Sequence, residues 1–178
     1  GSELSITSAG VLTFASAPDY ETKSSYSATV TATDGTNSTT QSVTVNITNV
    51  NEAPTFTSSA SFSADENQTS IGSVTANDVD SSVTFSVSGS ELSITSAGVL
   101  TFASAPDYET KSSYSATVTV TDGALSASQS ITVTVNNLND NSPAFTSSAT
   151  FSAAENQTTA GTVAASDADG NSITYSIS

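Results

Sequence analysis

Residues 89–123 read GSELSITSAGVLTFASAPDYETKSSYSATVTVTDG, and residues 1–35 repeat them letter for letter except that Ala32 replaces Val120. A second pair follows, because FTSSASFSADENQT at 56–69 returns as FTSSATFSAAENQT at 145–158. The two pairs are offset by 88 and 89 residues respectively. The chain is therefore a tandem repeat whose unit has the size of one small domain.

The repeat units are set in a shifted register along the chain. The stretch ITYSIS at 173–178 matches VTFSVS at 83–88, which continues directly into the same GSEL that opens the sequence. We therefore expect three parts: the C-terminal half of one repeat at 1–52, a complete repeat at 53–141, and the N-terminal half of the next repeat at 142–178.

Alternation of apolar and polar residues predicts β-strands throughout, as at 114–120, and no stretch has a helical period. Strands separated by Gly, Asn, Asp and Pro turns at this spacing are typical of an all-β sandwich. Seven strands in two sheets would make a Greek-key, Ig-like β-sandwich without the Cys and Trp core of true Ig domains. In the complete repeat the predicted strands A to G are 56–64, 71–77, 83–88, 91–95, 98–102, 113–121 and 128–136.

Charge excludes several classes of partner. The chain has 17 acids against two lysines, no arginine and a net charge of −15, so nothing could replace the counterions of a nucleic acid or bind an anionic membrane. No apolar run approaches the length of a membrane span, and we expect no direct membrane insertion of this fragment. Without Cys there are no disulfides or thiolate metal sites.

Acidic residues recur at equivalent positions of the repeats, and they are the candidate metal ligands. Like charges 4 Å apart repel by about 4 kcal/mol at an effective dielectric of 20, so clustered carboxylates call for a cation. Because the chain has neither His nor Cys, only oxygen ligands are available, and a flexible oxygen cage suits Ca²⁺ better than Mg²⁺. The recurring acids are Asp19, Glu21, Asp34, Glu52, Glu66, Asp78, Asp80, Asp107, Glu109, Asp122, Asp140, Glu155, Asp167 and Asp169.

The motifs Glu66-Asn67, Asp78-Val79-Asp80, Asp107-Tyr108-Glu109, Thr121-Asp122-Gly123 and NLNDNSP at 137–143 resemble, in order and spacing, the calcium motifs of cadherin repeats. The resemblance covers the whole chain and implies three Ca²⁺ at each junction between repeats. At the second junction it implies a cage of Glu66, Asp107, Glu109, Asn137, Asn139, Asp140 and Asn141 with Asp167 and Asp169. At the first junction it implies Asp19, Glu21, Asn49, Asn51 and Glu52 with Asp78, Asp80 and Asp122.

Two departures from the cadherin pattern affect these expectations. Asn49 and Asn137 stand where the family's linker usually opens with Asp, so we expect weaker sites. The first linker, NVNEAP, resembles that of bacterial cadherin-like repeats, which implies an extracellular or cell-surface protein of bacterial origin. Because the chain has no Trp, the strand-swapped adhesion of vertebrate cadherins is not expected.

The resemblance implies a calcium-rigidified rod that serves cell-surface adhesion, homophilic adhesion between cells included. The alternative is a carbohydrate-binding module of a secreted, polysaccharide-associated protein, an option that Tyr20, Tyr26, Tyr108 and Tyr114 keep open. Asp34-Gly35 and Asp122-Gly123 also fit ordinary hairpin turns. Catalysis is not expected, because the paired acids Asp107 and Glu109 have no substrate platform beside them and the chain has no His for a triad.

The shifted register has a consequence of its own. Neither residues 1–52 nor residues 142–178 can close a core alone, whereas together they carry all seven strands of a repeat. We therefore expect head-to-tail self-association, in which the C-terminal half of one molecule complements the N-terminal half of the next. The alternative is that this register is that of a piece cut from a longer array.

Overall fold

A computed structural model describes residues 3–178, and every regular element in that range is a β-strand. No helix suited to crossing a membrane occurs among these residues. The chain divides into two compact units, one of Gly1–Glu52 with Val79–Ser81 and one of Ala53–Asp78 with Ser82–Ser178. The strands are β1 (Leu4–Ile6), β2 (Leu12–Phe14), β3 (Ser25–Thr33), β4 (Ser38–Asn46), β5 (Thr55–Phe56), β6 (Ser61–Asp65), β7 (Ser70–Ser73), β8 (Ala76–Asn77), β9 (Thr84–Val87), β10 (Leu92–Ile94), β11 (Val99–Phe102), β12 (Ser113–Thr121), β13 (Ser126–Asn136), β14 (Ala144–Phe145) and β15 (Ala165–Ser166).

The complete repeat is a β-sandwich of seven main strands, as its alternation predicted. One sheet has the order β6-β13-β12-β9 and the other has the order β10-β11-β7. Neighbouring strands are antiparallel except β6, which runs parallel to β13 from Ser61 opposite Thr132 to Asp65 opposite Asn136. The first and last strands of the repeat therefore point the same way.

The core of this sandwich follows from the period of two. Leu100, Val118, Ile131 and Val133 are fully buried between the sheets, while the serines and threonines that alternate with them face outward. Phe102 packs edge-on against Tyr114 with ring centroids 5.0 Å apart. A half-buried strand needs this division into an apolar and a polar face.

Strands A and B each break in two, which the sequence did not predict. The first segment of A, β5, pairs with β8, whereas the second segment, β6, pairs with β13. The break occurs where the Thr75 carbonyl accepts hydrogen bonds from both Thr57 N (2.8 Å) and Ser58 N (3.2 Å). Strand A thus leaves β8 and joins the four-stranded sheet through β6. Strands β5 and β8 form a short separate ribbon.

The first unit contains the counterparts of β10 to β13 only. Within it β1 pairs with β2 and β3 pairs with β4, in the same registers as β10 with β11 and β12 with β13. Phe14 packs edge-on against Tyr26 with centroids 5.1 Å apart, repeating the contact of the complete repeat. The apolar faces of β3 and β4 are only half-buried.

Residues 142–178 contain the counterparts of β5 to β9, yet only the ribbon forms. Strand β14 pairs with β15, as β5 pairs with β8. The stretches that correspond to β6, β7 and β9 have no strand structure here. The division of the chain into three parts remains a prediction.

Gly98 lies in the turn between β10 and β11, and its counterpart Gly10 lies in the turn between β1 and β2. The two glycines provide a matched test of this turn. Both have positive φ, at 87° and 82°, but a Cβ on Gly98 would lie 2.2 Å from the Val74 carbonyl oxygen while one on Gly10 would meet nothing within 4 Å. We expect Gly98→Ala to lower the free energy of unfolding by about 3 kcal/mol or more and Gly10→Ala by about 1 kcal/mol. Urea denaturation followed by circular dichroism measures both, and equal losses would contradict the packing at Gly98.

Candidate metal centre

Glu66 is the buried anchor of the acidic end of the complete repeat. It follows β6 directly, is 2% exposed, and accepts hydrogen bonds from Tyr108 N (2.8 Å) and Leu138 N (2.7 Å). The parallel pairing of β6 with β13 places Glu66 where β13 ends and the linker begins. One carboxylate thereby connects the first strand, the loop after β11 and the linker.

Two clusters of three carboxylates form at this end, and Glu109 belongs to both. The first contains Glu66 and Asp107 with Glu109, and the second contains Asp140 and Asp169 with Glu109. In each cluster the nearest carboxylate oxygens lie within 4.8 Å of one another. The local turn holds Asp107 in place, since its oxygens accept hydrogen bonds from Thr110 N (3.2 Å) and Thr110 Oγ1 (2.9 Å).

The Asn141 amide lies at the centre of the second cluster. Its Nδ2 donates to Asp140 Oδ1 (2.8 Å), to Asp169 Oδ1 (2.9 Å) and to Glu109 Oε2 (3.3 Å), while its backbone N donates to Asp169 Oδ2 (2.9 Å). An electropositive group thus stands where three carboxylates converge. The oxygen of the same amide is a ligand of the kind Ca²⁺ accepts.

The charges of the clusters perturb one another. Partial desolvation raises the pKa of the Glu109 carboxyl above its ordinary value, and the charges of Glu66, Asp169 and Asp107 raise it further. Hydrogen bonds from the Asn141 side chain lower the pKa of Asp169. The raised pKa of Glu109 means that its negative charge is disfavoured among its neighbours, a conflict that a bound cation would relieve.

The first unit holds one cluster of the same kind, made of Glu21, Glu52 and Asp80. Asn49 Nδ2 donates to Asp80 Oδ1 (2.7 Å), and Glu52 N donates to Asp80 Oδ2 (2.9 Å). The Asn49 side chain lowers the pKa of Asp80, whereas partial desolvation and the nearby Asp80 raise that of Glu52. This cluster corresponds to that of Glu109, Asp140 and Asp169.

Asp34 and Asp122 lie in hairpin turns, as the alternative interpretation of the Asp-Gly pairs held. Asp34 Oδ1 accepts from Thr36 N (2.8 Å) and Asn37 N (2.7 Å), and these backbone donors lower its pKa, Asn37 most. Asp122 Oδ1 accepts from Ala124 N and Leu125 N, both at 2.6 Å. Neither carboxylate joins a three-carboxylate group within residues 3–178.

The other predicted ligands stand around the clusters or apart from them, and their role as ligands remains a prediction. Asp78 and Asp167 are half-buried, just after β8 and β15 respectively. Asn137 Nδ2 donates to the Asp169 carbonyl (3.1 Å). The remaining ones, Asp19, Asn51, Asn139 and Glu155, are exposed. The oxygens of Asp19 accept hydrogen bonds from Thr22 N and Thr22 Oγ1.

Asn67 is a member of the site that belongs to the Glu66-Asn67 motif but is absent from the predicted ligands. It has a positive φ of 64°, donates its Nδ2 to Asp140 Oδ2, and its backbone N donates to the Pro106 carbonyl (2.9 Å). Its presence in both copies of ENQT was the signal that could have identified it. Asn tolerates the left-handed conformation better than other residues with a Cβ, so the turn after Glu66 favours it.

Comparisons with known proteins agree with this architecture. The family described as bacterial Ig domain matches residues 51–136. Protocadherin gammaB7 EC3-6, described as a cis-dimer structure, is similar at 29% identity and a TM-score of 0.72 over 94% of this chain and 49% of its own. The protocadherin gammaB4 extracellular domain is 30% identical, with a TM-score of 0.68 over 94% of this chain and 33% of its own. Mouse cadherin-23 EC22-24 shares the fold at 24% identity, with a TM-score of 0.67 over 94% of this chain and 62% of its own.

The fold and the matches define a class of protein, the β-sandwich repeats, and the proteins that match this chain are cadherin and Ig domains. Within that class the matched structures are cadherin extracellular repeats, which confirms the resemblance that the motifs predicted. It spans about half the length of the first of these relatives and a third of the second.

Glu66 and its exposed counterpart Glu155 allow a matched test of the buried anchor. Glu66→Gln replaces one acceptor oxygen by an amide N–H, so either Tyr108 N or Leu138 N loses its charged partner in a buried place. With chelator present, we expect Glu66→Gln to lower the free energy of unfolding by about 1–3 kcal/mol. Under the same conditions Glu155→Gln should lower it by less than about 0.5 kcal/mol. Chemical denaturation measures both, and an unchanged Glu66→Gln would contradict the anchoring role.

Proposed function

We propose that this chain is a calcium-binding module of an extracellular adhesion protein, in which Ca²⁺ fixes the junctions between repeats. The observation that carries the proposal is the pair of carboxylate clusters joined by Glu109. Five carboxylates meet there without a lysine, since Lys23 and Lys111 pair with Glu3 and Glu91 elsewhere. Calcium is the cation that this set of oxygen donors suits best.

The donor set supports two adjacent ions at the second junction. Glu66, Asp107, Glu109, Asp140 and Asp169 together carry five negative charges, and two Ca²⁺ would supply four positive ones. Glu109 would bridge them, and Asn141 would turn its amide oxygen toward the ion in place of its nitrogen. The cadherin resemblance implies three ions per junction. The remaining predicted ligands would take part in binding the third ion.

Ion binding would stiffen the junction because the ligands come from separate segments. Asp107 and Glu109 belong to the loop before β12, Asp140 to the linker after β13, and Asp169 to the segment after β15. Without a cation these carboxylates repel one another, so any close approach of the three segments would have to overcome that repulsion. Calcium would convert the repulsion into shared ligation and so restrict the linker.

The cadherin-like fold supports an extracellular adhesive role, with the NVNEAP linker pointing to a bacterial surface protein. The protocadherin gammaB7 match is described as a cis-dimer, and by analogy we extend homophilic self-association to this chain. The matched domains are adhesion-type modules rather than enzymes. Binding of polysaccharide remains a prediction, and two tyrosines of the complete repeat, Tyr108 and Tyr114, pack against the core rather than forming a platform.

Calcium titration of the wild type and two variants tests the proposal. At a dissociation constant of about 0.1 mM, 2 mM Ca²⁺ would stabilise the fold by roughly 1.8 kcal/mol per site. Glu109→Gln removes a charge shared by both clusters, so we expect calcium affinity to fall about tenfold or more. Isothermal titration calorimetry measures the affinity, and thermal unfolding with and without EGTA measures the stabilisation.

The matched control is Glu91→Gln, because Glu91 is an exposed acid that pairs with Lys111 outside both clusters. Its calcium affinity should stay within about twofold of the wild type. Equal losses in the two variants would assign calcium binding to net charge alone. No heat of binding and no thermal shift in the wild type would refute the calcium proposal.

A further inference from the structure

The strand through which the chain enters the complete repeat is paired with the strand through which it leaves. Strand β6 runs parallel to β13 over five residue pairs, from Ser61 opposite Thr132 to Asp65 opposite Asn136. The chain reaches β6 from the side of Ser61, and it leaves β13 after Asn136. Tension passed along the chain therefore has to cross from β6 to β13.

The parallel direction of this pair decides how such tension is distributed. A pull on the start of β6 and on the end of β13 slides the two strands along each other, and the evenly spaced bonds of a parallel ladder then share the load. The ladder begins with the bond from Thr132 N to Ala60 O (2.9 Å) and ends with the bond from Glu66 N to Asn136 O (3.2 Å). A pull on both strands from one common end would instead break these bonds one after another.

Three hydrogen bonds that involve side chains continue the ladder beyond its last backbone bond, and we call them the latch. Each joins one of three successive residues at the end of β6 to a residue that lies 71 to 73 positions later, where β13 passes into the linker. The pairs are Asn136 Nδ2 with Asp65 Oδ1 (2.9 Å), Leu138 N with Glu66 Oε1 (2.7 Å) and Asn67 Nδ2 with Asp140 Oδ2. The latch therefore ties the end of β6 to alternate residues of the segment that leaves the repeat.

Burial keeps water away from the middle contact of the latch. Glu66 is 2% exposed and accepts a second hydrogen bond from Tyr108 N (2.8 Å), which fixes its carboxylate in place. Hydrogen bonds to a charged acceptor are stronger than those between neutral groups. Along the ladder, Ala64, Val133 and Val135 are buried as well, so their side chains cover its bonds on the side of the core.

We propose that the β6-β13 ladder and the latch together form a mechanical clamp, through which the complete repeat bears tension along the chain. The adhesive role in which such tension arises is the proposed function, whereas the clamp consists of contacts between protein groups and needs no ion. Calcium would hold the segments together at the junction, and the clamp would keep the repeat itself folded under load.

The β5-β8 ribbon is the part that we expect to yield first. It has only two residue pairs, Thr55 with Asn77 and Phe56 with Ala76, and it precedes the clamp along the chain. Its detachment would lengthen the chain slightly and leave β6 attached to β13 as before. The break in strand A thus separates a weak first segment from the segment that resists the pull.

Pulling the protein in two directions tests the clamp with all its contacts intact. Because the chain has no cysteine, a pair of introduced cysteines fixes the two points of attachment for single-molecule force spectroscopy. Ala53→Cys with Ser142→Cys loads β6 and β13 in shear, whereas Gln68→Cys with Ser142→Cys pulls both strands from their common end. All three positions are exposed.

In EGTA we expect the rupture force in shear to exceed that in the peeling direction by about twofold or more, because the ladder bonds then break together. Opening the clamp in shear frees residues 61–136, so the main event should lengthen the chain by about 25 nm at about 3.5 Å per residue. Equal forces in the two directions, or a smaller force in shear, would overturn the proposal.

Two proline variants on β13 form a matched pair for the ladder. Thr132 and Ser130 are both exposed and lie on the same face of β13, but only Thr132 lies opposite a residue of β6. Thr132→Pro removes the N–H that donates to Ala60 O, whereas Ser130→Pro removes none of the β6-β13 bonds. In shear we expect the rupture force of Thr132→Pro to be about a third or more below that of Ser130→Pro. Equal forces in these two variants would overturn the role of the ladder.

The latch is tested by a variant that places no proline in a strand. Asn67→Gly deletes the side chain that donates to Asp140, and glycine adopts the positive φ of 64° at no steric cost. Its matched control is Asn156→Gly, since Asn156 has a φ of 63° in the second copy of the same ENQT motif, outside the clamp. We expect Asn67→Gly to lower the rupture force in shear by about a fifth and Asn156→Gly to leave it unchanged. Equal forces in the two glycine variants would overturn the role of the latch.

The same measurements in millimolar Ca²⁺ separate the clamp from the proposed calcium function. If calcium binds at the clusters, the rupture force should rise further, and Glu109→Gln should lose that rise while it keeps the force in EGTA, because Glu109 is no part of the clamp. A protein that resists shear only in Ca²⁺ would overturn the clamp and leave the calcium proposal standing. Equal resistance to shear in EGTA and in Ca²⁺ would support the clamp and count against the calcium proposal.

Discussion

The parallel pairing of β6 with the end of β13 is the contact on which the complete repeat depends. It closes the four-stranded sheet and places Glu66 beside the linker. Where this pairing is missing, at residues 150–154, the strand itself is missing.

Electrostatics imposes the second constraint. Each lysine packs over a tyrosine ring, Lys111 at 4.5 Å from Tyr114 and Lys23 at 4.7 Å from Tyr26, and pairs with a nearby glutamate. Side-chain amides donate to clustered acids where no lysine does: Asn49 donates to Asp80 in the first unit, and Asn141 donates to Asp169 in the second. A fold held by apolar sheets tolerates this repulsion because the acids lie at strand ends and in loops, and the buried one, Glu66, accepts hydrogen bonds from Tyr108 N and Leu138 N.

Much of the fold and part of the site could be predicted from the sequence. Alternation identified all the main strands, because burial on one face of a sheet needs a period of two. The breaks in strands A and B were not predictable, since they depend on which sheet each segment pairs with. Asn141 at the centre of its cluster, and Asn67 beside Asp140, likewise depend on side-chain placement across distant segments.

The sequence by itself determined the repeat, its shifted register, the β class and the set of acids available to a cation. The resemblance implied a cage at each junction, but only the tertiary structure decided which of its acids converge, because Glu66, Glu109 and Asp169 are far apart in the chain. It also decided what each copy of a repeated stretch becomes. Residues 56–69 and 145–158 are nearly the same string, yet only the first forms a core strand, since a β-strand is stable only beside a partner that satisfies its backbone groups and covers its apolar face.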